Sequence, residues 1–131
     1  MIIAIRKQPN GSIYIDKTAL KRFDKETLKQ PPYNYSFVEV EKEDCEPSDF
    51  NDDLTLSIEK YNARKLNTQK NALRLRRETE CFPIINRGQL WYDTLTDEQK
   101  TELKEWYIAW LNLPNNYPTN DIIPQKPSWL N

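Results

Sequence analysis

The chain has 131 residues, of which 37% are hydrophobic and 30% charged, a composition typical of one folded domain or of a small domain with a tail. Nineteen basic residues against 20 acidic residues give a formal net charge of -1, so no overall field attracts nucleic acid or an anionic membrane. The chain contains no histidine, the residue most often used in acid–base catalysis and in metal binding. The composition therefore argues against an enzyme and against a metal or cofactor site.

The N-terminal apolar run is too short for a signal peptide, and no stretch approaches the roughly 18 apolar residues of a membrane span. We therefore expect a soluble protein that is made in the cytoplasm and has no membrane partner. Cys45 and Cys81 are the only cysteines. Without a secretory signal they are expected to be reduced thiols rather than a disulfide.

Two alternating isoleucine runs flank Pro9-Asn10-Gly11 and predict a β-hairpin. A two-residue turn would send the isoleucine pairs to opposite faces. A three-residue loop that ends in a left-handed Gly11 instead pairs Ile5 with Ile15. This register is predicted because it gathers four isoleucines on one buried face: Ile3, Ile5, Ile13 and Ile15.

The rest of the N-terminal region is predicted to contain a helical turn over residues 21–30 and a third strand over residues 33–41, where aromatic and β-branched residues alternate with polar ones. Residues 39–53 carry eight acidic residues against a single lysine and are predicted to form a solvated loop. The alternation of Leu54, Leu56 and Ile58 favours a short fourth strand, and a helix from Leu54 onward is the alternative.

Two helices are predicted after this region. Residues 61–81 are good helix formers, but their apolar positions make two narrow stripes, which would suit a helix held between two partners or within a homo-oligomer. Thr96-Asp97-Glu98-Gln99 is a capping-box sequence that opens the second helix. One broad apolar face follows it: Leu103, Trp106, Tyr107, Trp110 and Leu111. Pro114 predicts the end of this helix near Asn112.

These elements predict an α+β fold with three regions. Residues 1–58 form a small antiparallel β-hairpin or sheet with an acidic loop. Residues 59–113 form a helical hairpin. Residues 114–131 form an extended tail that is rich in proline and contains a tryptophan.

The basic segment over residues 60–77 raises the possibility of nucleic-acid binding, because it contains seven basic residues and no acidic residue. These residues encircle the predicted helix, and no aromatic platform for base stacking lies among them. Nucleic acid is therefore not an expected partner. The acidic residues 39–53 nearly match this charge and could lie against the helix, which would hide its basic side.

Side chains that could support catalysis have simpler structural interpretations. Neighbouring acids such as Asp52 and Asp53 are commonplace on exposed loops. Cys81 has no histidine to activate it and is expected to be a small buried group. With only two glycines in the chain, no glycine-rich phosphate loop can form. A non-enzymatic protein without a cofactor or metal is expected.

Aromatic residues are concentrated in the last third of the chain. A stripe at helical spacing is usually core, and this is the expected role of Trp106 and Trp110. Alternatively, the stripe and the stiff tail dock a partner. Both roles are compatible if helix and tail form one composite surface, whose predicted protein-binding residues are Trp106, Tyr107, Trp110, Pro124, Pro127, Trp129 and Leu130. The apolar tail residues Ile122, Ile123, Trp129 and Leu130 are expected to dock on the aromatic face of the same subunit or of a partner.

Four segments follow one another in the C-terminal half: Arg74-Leu75-Arg76-Arg77-Glu78, Leu95-Thr96-Asp97-Glu98-Gln99, Trp106-Tyr107-Ile108-Ala109-Trp110-Leu111 and Ile123-Pro124-Gln125-Lys126-Pro127-Ser128-Trp129. In this order and spacing they resemble the C-terminal region of the phage tail assembly chaperone family, in which a basic helix end precedes a second helix and a short proline-containing tail with a tryptophan. The resemblance covers residues 74–130. The chain departs from the family at Trp110, where Arg and Leu are usual, and at Cys81-Phe82-Pro83.

The resemblance implies a non-enzymatic accessory protein or chaperone that binds a phage tail or tail-fibre polypeptide in the host cytoplasm and shields apolar surface until assembly is complete. The first alternative is a permanent virion protein, such as a tail or fibre adaptor. The second is a small inhibitor or regulator of a host protein, for which an acidic loop and a basic helix would be suitable. Residues 1–53 lie outside the resemblance, which implies no role for them.

Overall fold

The structure, a computed structural model, describes all 131 residues of the chain. It has the predicted α+β architecture, with a small antiparallel sheet followed by helices. The chain divides into two compact units, Met1–Lys65 and Leu66–Asn131. None of the helices combines the length and the apolar character that crossing a lipid bilayer requires.

The sheet of the first unit has three antiparallel strands, β1 (Ile2–Lys7), β2 (Ile13–Asp16) and β3 (Ser36–Glu39), in the order β2-β1-β3. Ile5 lies opposite Ile15, as predicted. Within the loop the Gly11 N–H donates to the Gln8 carbonyl at 2.9 Å, and Gly11 has a φ of 86°. The predicted three-residue loop and its register are therefore confirmed.

Both faces of the sheet are covered by apolar side chains. On one face Ile3 and Ile5 are fully buried, and Ile13 and Ile15 pack against them. This confirms the predicted isoleucine face. Two short helices help to cover the opposite face, α1 (Ala19–Arg22) through Ala19 and α2 (Lys25–Lys29) through Leu28. These helices replace the single helical turn predicted over residues 21–30.

The predicted fourth strand at Leu54, Leu56 and Ile58 is wrong, and so is the alternative of a helix from Leu54 onward. Leu56 makes one isolated antiparallel bridge to Phe50, and Leu54 has a φ of 68°, which neither a strand nor a helix allows. The chain reverses here, with the Leu54 N–H donating to the Asn51 carbonyl at 2.9 Å. Local turn hydrogen bonds thus override the alternating pattern.

The acidic segment over residues 39–53 is only partly the solvated loop that was predicted. It contains one 3-10 turn (Pro47–Asp49), and it buries Cys45, Asp49 and Phe50. The reason is that apolar residues alternate with the acids and pack on the isoleucine face, while cations from the following helix compensate the buried charge.

Those cations confirm in part the suggested pairing of acidic segment and basic helix. The Arg64 guanidinium donates to both oxygens of Asp49 at 2.9 Å, and Lys65 Nζ lies 2.6 Å from Asp44 Oδ2. Burial of Asp49 opposes its ionisation, but hydrogen bonds from Arg64 and from the Glu46 N–H outweigh this effect and lower its pKa. The charge on this part of the basic helix is therefore neutralised within the first unit.

The long helix α3 (Ile58–Glu80) starts and ends within three residues of the predicted limits and contains the boundary between the units. Two single-turn helices that were not predicted follow, α4 (Phe82–Ile85) and α5 (Gln89–Asp93). Pro83 fits in the first turn of α4, where its missing N–H would have no helical partner in any case.

Helix α6 (Asp97–Asn116) begins at the predicted capping box. The Gln99 N–H donates to Thr96 Oγ1 at 3.1 Å, and the Thr96 N–H donates to Gln99 Oε1 at 2.9 Å. The predicted end near Asn112 is wrong, because the helix continues through Pro114. In the last turn this proline removes only one helical hydrogen bond, and it is buried there. The tail therefore starts at residue 117 rather than 114 and contains no helix or strand.

Candidate protein-binding site

The second unit is built around one aromatic core. Six buried side chains form it: Cys81, Leu103, Trp106, Trp110, Leu113 and Leu130. Four of them come from one face of α6, where the spacing of i, i+3, i+7 and i+10 matches the period of the helix. The core role predicted for Trp106 and Trp110 is thereby confirmed.

The end of the tail docks on this core within the same subunit. Leu130 is only 4% exposed, and the half-buried Trp129 donates from its Nε1 to Glu102 Oε2 at 2.9 Å. The Arg87 side chain donates to the carbonyl of Asn131. The structure thus selects internal docking from the two alternatives predicted for the tail.

Internal docking does not extend to Ile122 in the tail. Ile122 is 76% exposed, so of the two predicted alternatives the structure excludes docking within the subunit for this residue. Ile123 is 37% exposed. The Ile122 N–H donates to Asn120 Oδ1 at 3.1 Å, and this local turn presents the Ile122 side chain to solvent.

A cavity of about 340 Å³ lies beside the core. We call it the tail groove, after the tail of this chain and not after the phage tail. Its lining combines two tryptophans with the middle of the tail and with the end of α3: Arg76, Glu80, Trp106, Trp110, Ile123, Pro124 and Lys126. Both indole Nε1 groups of these tryptophans are buried and have no hydrogen-bond partner. A buried donor without an acceptor costs about 1–3 kcal/mol, so each of the two indoles would be stabilised by a hydrogen-bond acceptor.

The charged residues at the rim of the tail groove have defined positions. Arg76 lies 5.8 Å above the Trp110 ring and pairs with Glu80 at 2.6 Å. The hydrogen bond from Arg76 lowers the pKa of Glu80. These two charges are therefore fixed beside the aromatic wall, while Lys126 makes no ion pair.

A second, smaller cavity of about 200 Å³ lies on another side of α6, and we call it the lysine slot. Its lining has an apolar floor and two lysines: Ile85, Tyr92, Lys100, Leu103, Lys104 and Tyr107. Lys100 Nζ lies 4.9 Å from the centre of the Tyr92 ring. Tyr107 packs edge-on against Phe82, with ring centres 6.3 Å apart.

The predicted binding residues are thus divided among different environments. The tail groove brings together Trp106, Trp110 and Pro124, whereas Tyr107 lines the lysine slot. Pro127 is half-buried, and its carbonyl accepts from the Leu130 N–H at 3.1 Å. Together with the docked Trp129 and the buried Leu130, it holds the tail in place.

Sequence reasoning missed the charged and aliphatic lining of the tail groove. Arg76 lies in the first segment of the family resemblance, and Ile123 and Lys126 lie in the last one. The resemblance was therefore a usable signal for these three residues. Glu80 lies outside the segments of the resemblance, but its i, i+4 spacing from Arg76 in the predicted helix was a usable signal for their ion pair.

The thiol of Cys81 is part of the packed core of this unit. Cys81 is fully buried, and burial raises the pKa of its thiol to about 11, with Arg77 opposing the shift. Both cysteines are free. No group of three or more histidine, cysteine, aspartate or glutamate side chains is arranged to hold a metal ion.

Comparison of the chain with known protein families, with curated proteins and with solved structures gave no match.

Proposed function

We propose that the chain is a non-enzymatic accessory protein of phage tail assembly that binds a tail or tail-fibre polypeptide through the tail groove. One observation carries the proposal. The resemblance over residues 74–130 falls within a single compact unit, and three of its four segments contribute side chains to the same groove. Residues that are far apart in the resemblance therefore act on one surface.

The composition of the tail groove suits a polypeptide ligand. Tryptophan, tyrosine and arginine dominate the energetics of protein interfaces, and here Trp106, Trp110 and Arg76 are in mutual proximity. Two indole donors without acceptors would gain hydrogen bonds if small side-chain rotations presented them to the carbonyl groups of an extended segment. Pro124 stiffens the part of the chain's tail that lines the groove, which lowers the entropy cost of binding.

No chemical step is required for this function. The ionised groups of the groove, Arg76 and Glu80, are paired with each other, and the nearby Cys81 thiol is buried with a raised pKa. Binding would cover apolar surface of the tail polypeptide in the host cytoplasm until its assembly partners replace the accessory protein.

Affinity capture with a matched pair of isoleucine variants tests the proposal. Ile123 lines the groove, whereas Ile108 is 42% exposed on α6 and lines neither cavity. Tagged wild type and Ile108→Asp are expected to capture a tail or tail-fibre polypeptide from cells infected by the phage that carries the gene. Ile123→Asp is expected to capture much less of it while its thermal unfolding stays close to that of wild type.

Two outcomes would contradict the proposal: no enrichment of a tail polypeptide by the wild type, or equal capture by Ile123→Asp. The copy number in purified particles then distinguishes an assembly factor from a permanent virion component. An assembly factor is expected to be absent from the mature particle.

A further inference from the structure

No acidic side chain of the subunit forms an ion pair with the two lysines of the lysine slot, although Lys100 lies over the ring of Tyr92. Lys100 and Lys104 are four residues apart on α6, and neither makes an ion pair. Like charges at this helical spacing repel each other. A carboxylate placed between them would relieve this repulsion.

The floor of the slot is apolar and sized for one side chain. Ile85, Leu103 and the two tyrosines surround about 200 Å³, enough for one branched aliphatic group. The slot is therefore complementary to an aliphatic residue that directly adjoins an acidic one.

The tail of the same chain presents this combination. Asp121 is exposed and makes no ion pair, and the next residue is Ile122 with 76% exposure. The hydrogen bond from the Ile122 N–H to Asn120 orders this turn, and Ile123 and Pro124 beyond it contact the tail groove. The tail thus presents Asp121 and Ile122 to solvent as an adjacent acidic and aliphatic pair.

We propose that two copies of the chain associate by each placing Asp121 and Ile122 in the lysine slot of the other. When the same two copies make both contacts, the exchange closes a two-fold dimer, whereas one contact per pair of copies would run on into a ring or filament. Neither surface includes the predicted contact residues of the tail groove, so the association is a property additional to the proposed phage function. Each contact places two residues in one slot, far fewer than the roughly 20–30 residues a side of a stable interface, so the dimer is expected to be weak and to form at high protein concentration.

Complementary charge reversal provides the test, followed by sedimentation equilibrium from micromolar to millimolar concentration. The wild type is expected to approach the dimer mass. The variant Lys100→Glu/Lys104→Glu and the variant Asp121→Lys are each expected to associate at least about tenfold more weakly, a difference of about 1.4 kcal/mol. An equimolar mixture of the two variants is expected to dimerise again, since each tail then meets a slot of opposite charge.

A matched pair of isoleucine variants separates the aliphatic contact from the charges. Ile122→Ser is expected to weaken the dimer, and Ile108→Ser, at another exposed isoleucine of the same unit, is expected to leave it unchanged. All substituted side chains lie at or near the surface, and glutamate is a good helix former at both positions of α6. Circular dichroism confirms that each variant is folded.

Three results would each overturn the proposal: a wild type that stays monomeric throughout, a charge-reversed variant that associates as strongly as wild type, or a mixture that stays monomeric. Failure to capture a tail polypeptide would refute the proposed phage function and leave this dimer intact. The two inferences therefore fail separately.

Discussion

Truncation of the Leu130 side chain measures the energy with which the tail docks. Leu130 is 4% exposed and packs among Cys81, Leu103 and the core tryptophans. Leu→Ala substitutions in cores cost about 2–5 kcal/mol, the sum of lost transfer free energy and of the cavity that remains. Because the tail contains no helix or strand, it can shift to fill part of the cavity, which places Leu130→Ala near the lower end, at about 2–3 kcal/mol. For unfolding of the whole chain that loss lowers the melting temperature by about 7–11 °C.

Thermal unfolding followed by far-ultraviolet circular dichroism and by tryptophan fluorescence gives the measurement. Ile122→Ala is the matched control, since it removes a similar volume from an exposed position of the same tail, and its effect is expected to stay within about 0.5 kcal/mol. Trp129→Ala is expected to fall between the two, because Trp129 is half-buried and loses its hydrogen bond to Glu102. Equal melting temperatures for Leu130→Ala and Ile122→Ala would refute internal docking of the tail.

Three further outcomes follow from the buried and paired groups. Asp49→Asn is expected to destabilise the first unit by about 2–4 kcal/mol in denaturant titrations, because it removes the carboxylate that pairs with Arg64 while that guanidinium keeps some solvent contact; no change would contradict the buried ion pair. The hydrogen bond from Lys65 leads the causes that lower the pKa of Asp44 from 3.8 to about 2, so the stability it confers is complete above about pH 4 and is lost as the pH falls through about 2. Acid titration is expected to show this loss in wild type and not in Asp44→Asn. Cys81, with its thiol pKa near 11, is expected to resist a disulfide reagent at neutral pH until denaturant is added, and rapid labelling of the native protein would argue against its burial.

Local sequence signals predicted those parts of the fold that local chemistry determines. Gly11 set the hairpin loop because only a left-handed residue closes a three-residue turn in the observed register. Thr96 set the start of α6 because its hydroxyl satisfies a helix-end N–H. Both signals depend on residues within a few positions of each other, so no tertiary information was needed.

The errors occur where tertiary packing or competing turn chemistry decides the outcome. Pro114 does not end α6 because burial in the core compensates the loss of one hydrogen bond. The strand predicted from Leu54 fails because the turn from Asn51 reverses the chain at that point. Neither effect is visible in apolar periodicity.

The candidate site was predictable only in its aromatic part. Trp106 and Trp110 stood out by their helical spacing, whereas the groove beside them depends on the end of α3 meeting the tail. The lysine slot was not predicted, because Ile85 and Tyr92 reach it through α4 and α5, which no sequence pattern indicated. Sequence reasoning thus found the core of the unit and missed its openings.

The central claim is that the tail groove binds a tail or tail-fibre polypeptide, and quantitative mass spectrometry of affinity captures from infected cells tests it most directly. We expect one tail or tail-fibre polypeptide to be enriched in near-equal amount to the tagged wild type and to Ile108→Asp, and to be depleted by at least about tenfold with Ile123→Asp, the factor that about 1.4 kcal/mol of lost binding produces. Equal recovery of that polypeptide with Ile123→Asp, or its absence from the wild-type capture, would contradict the account.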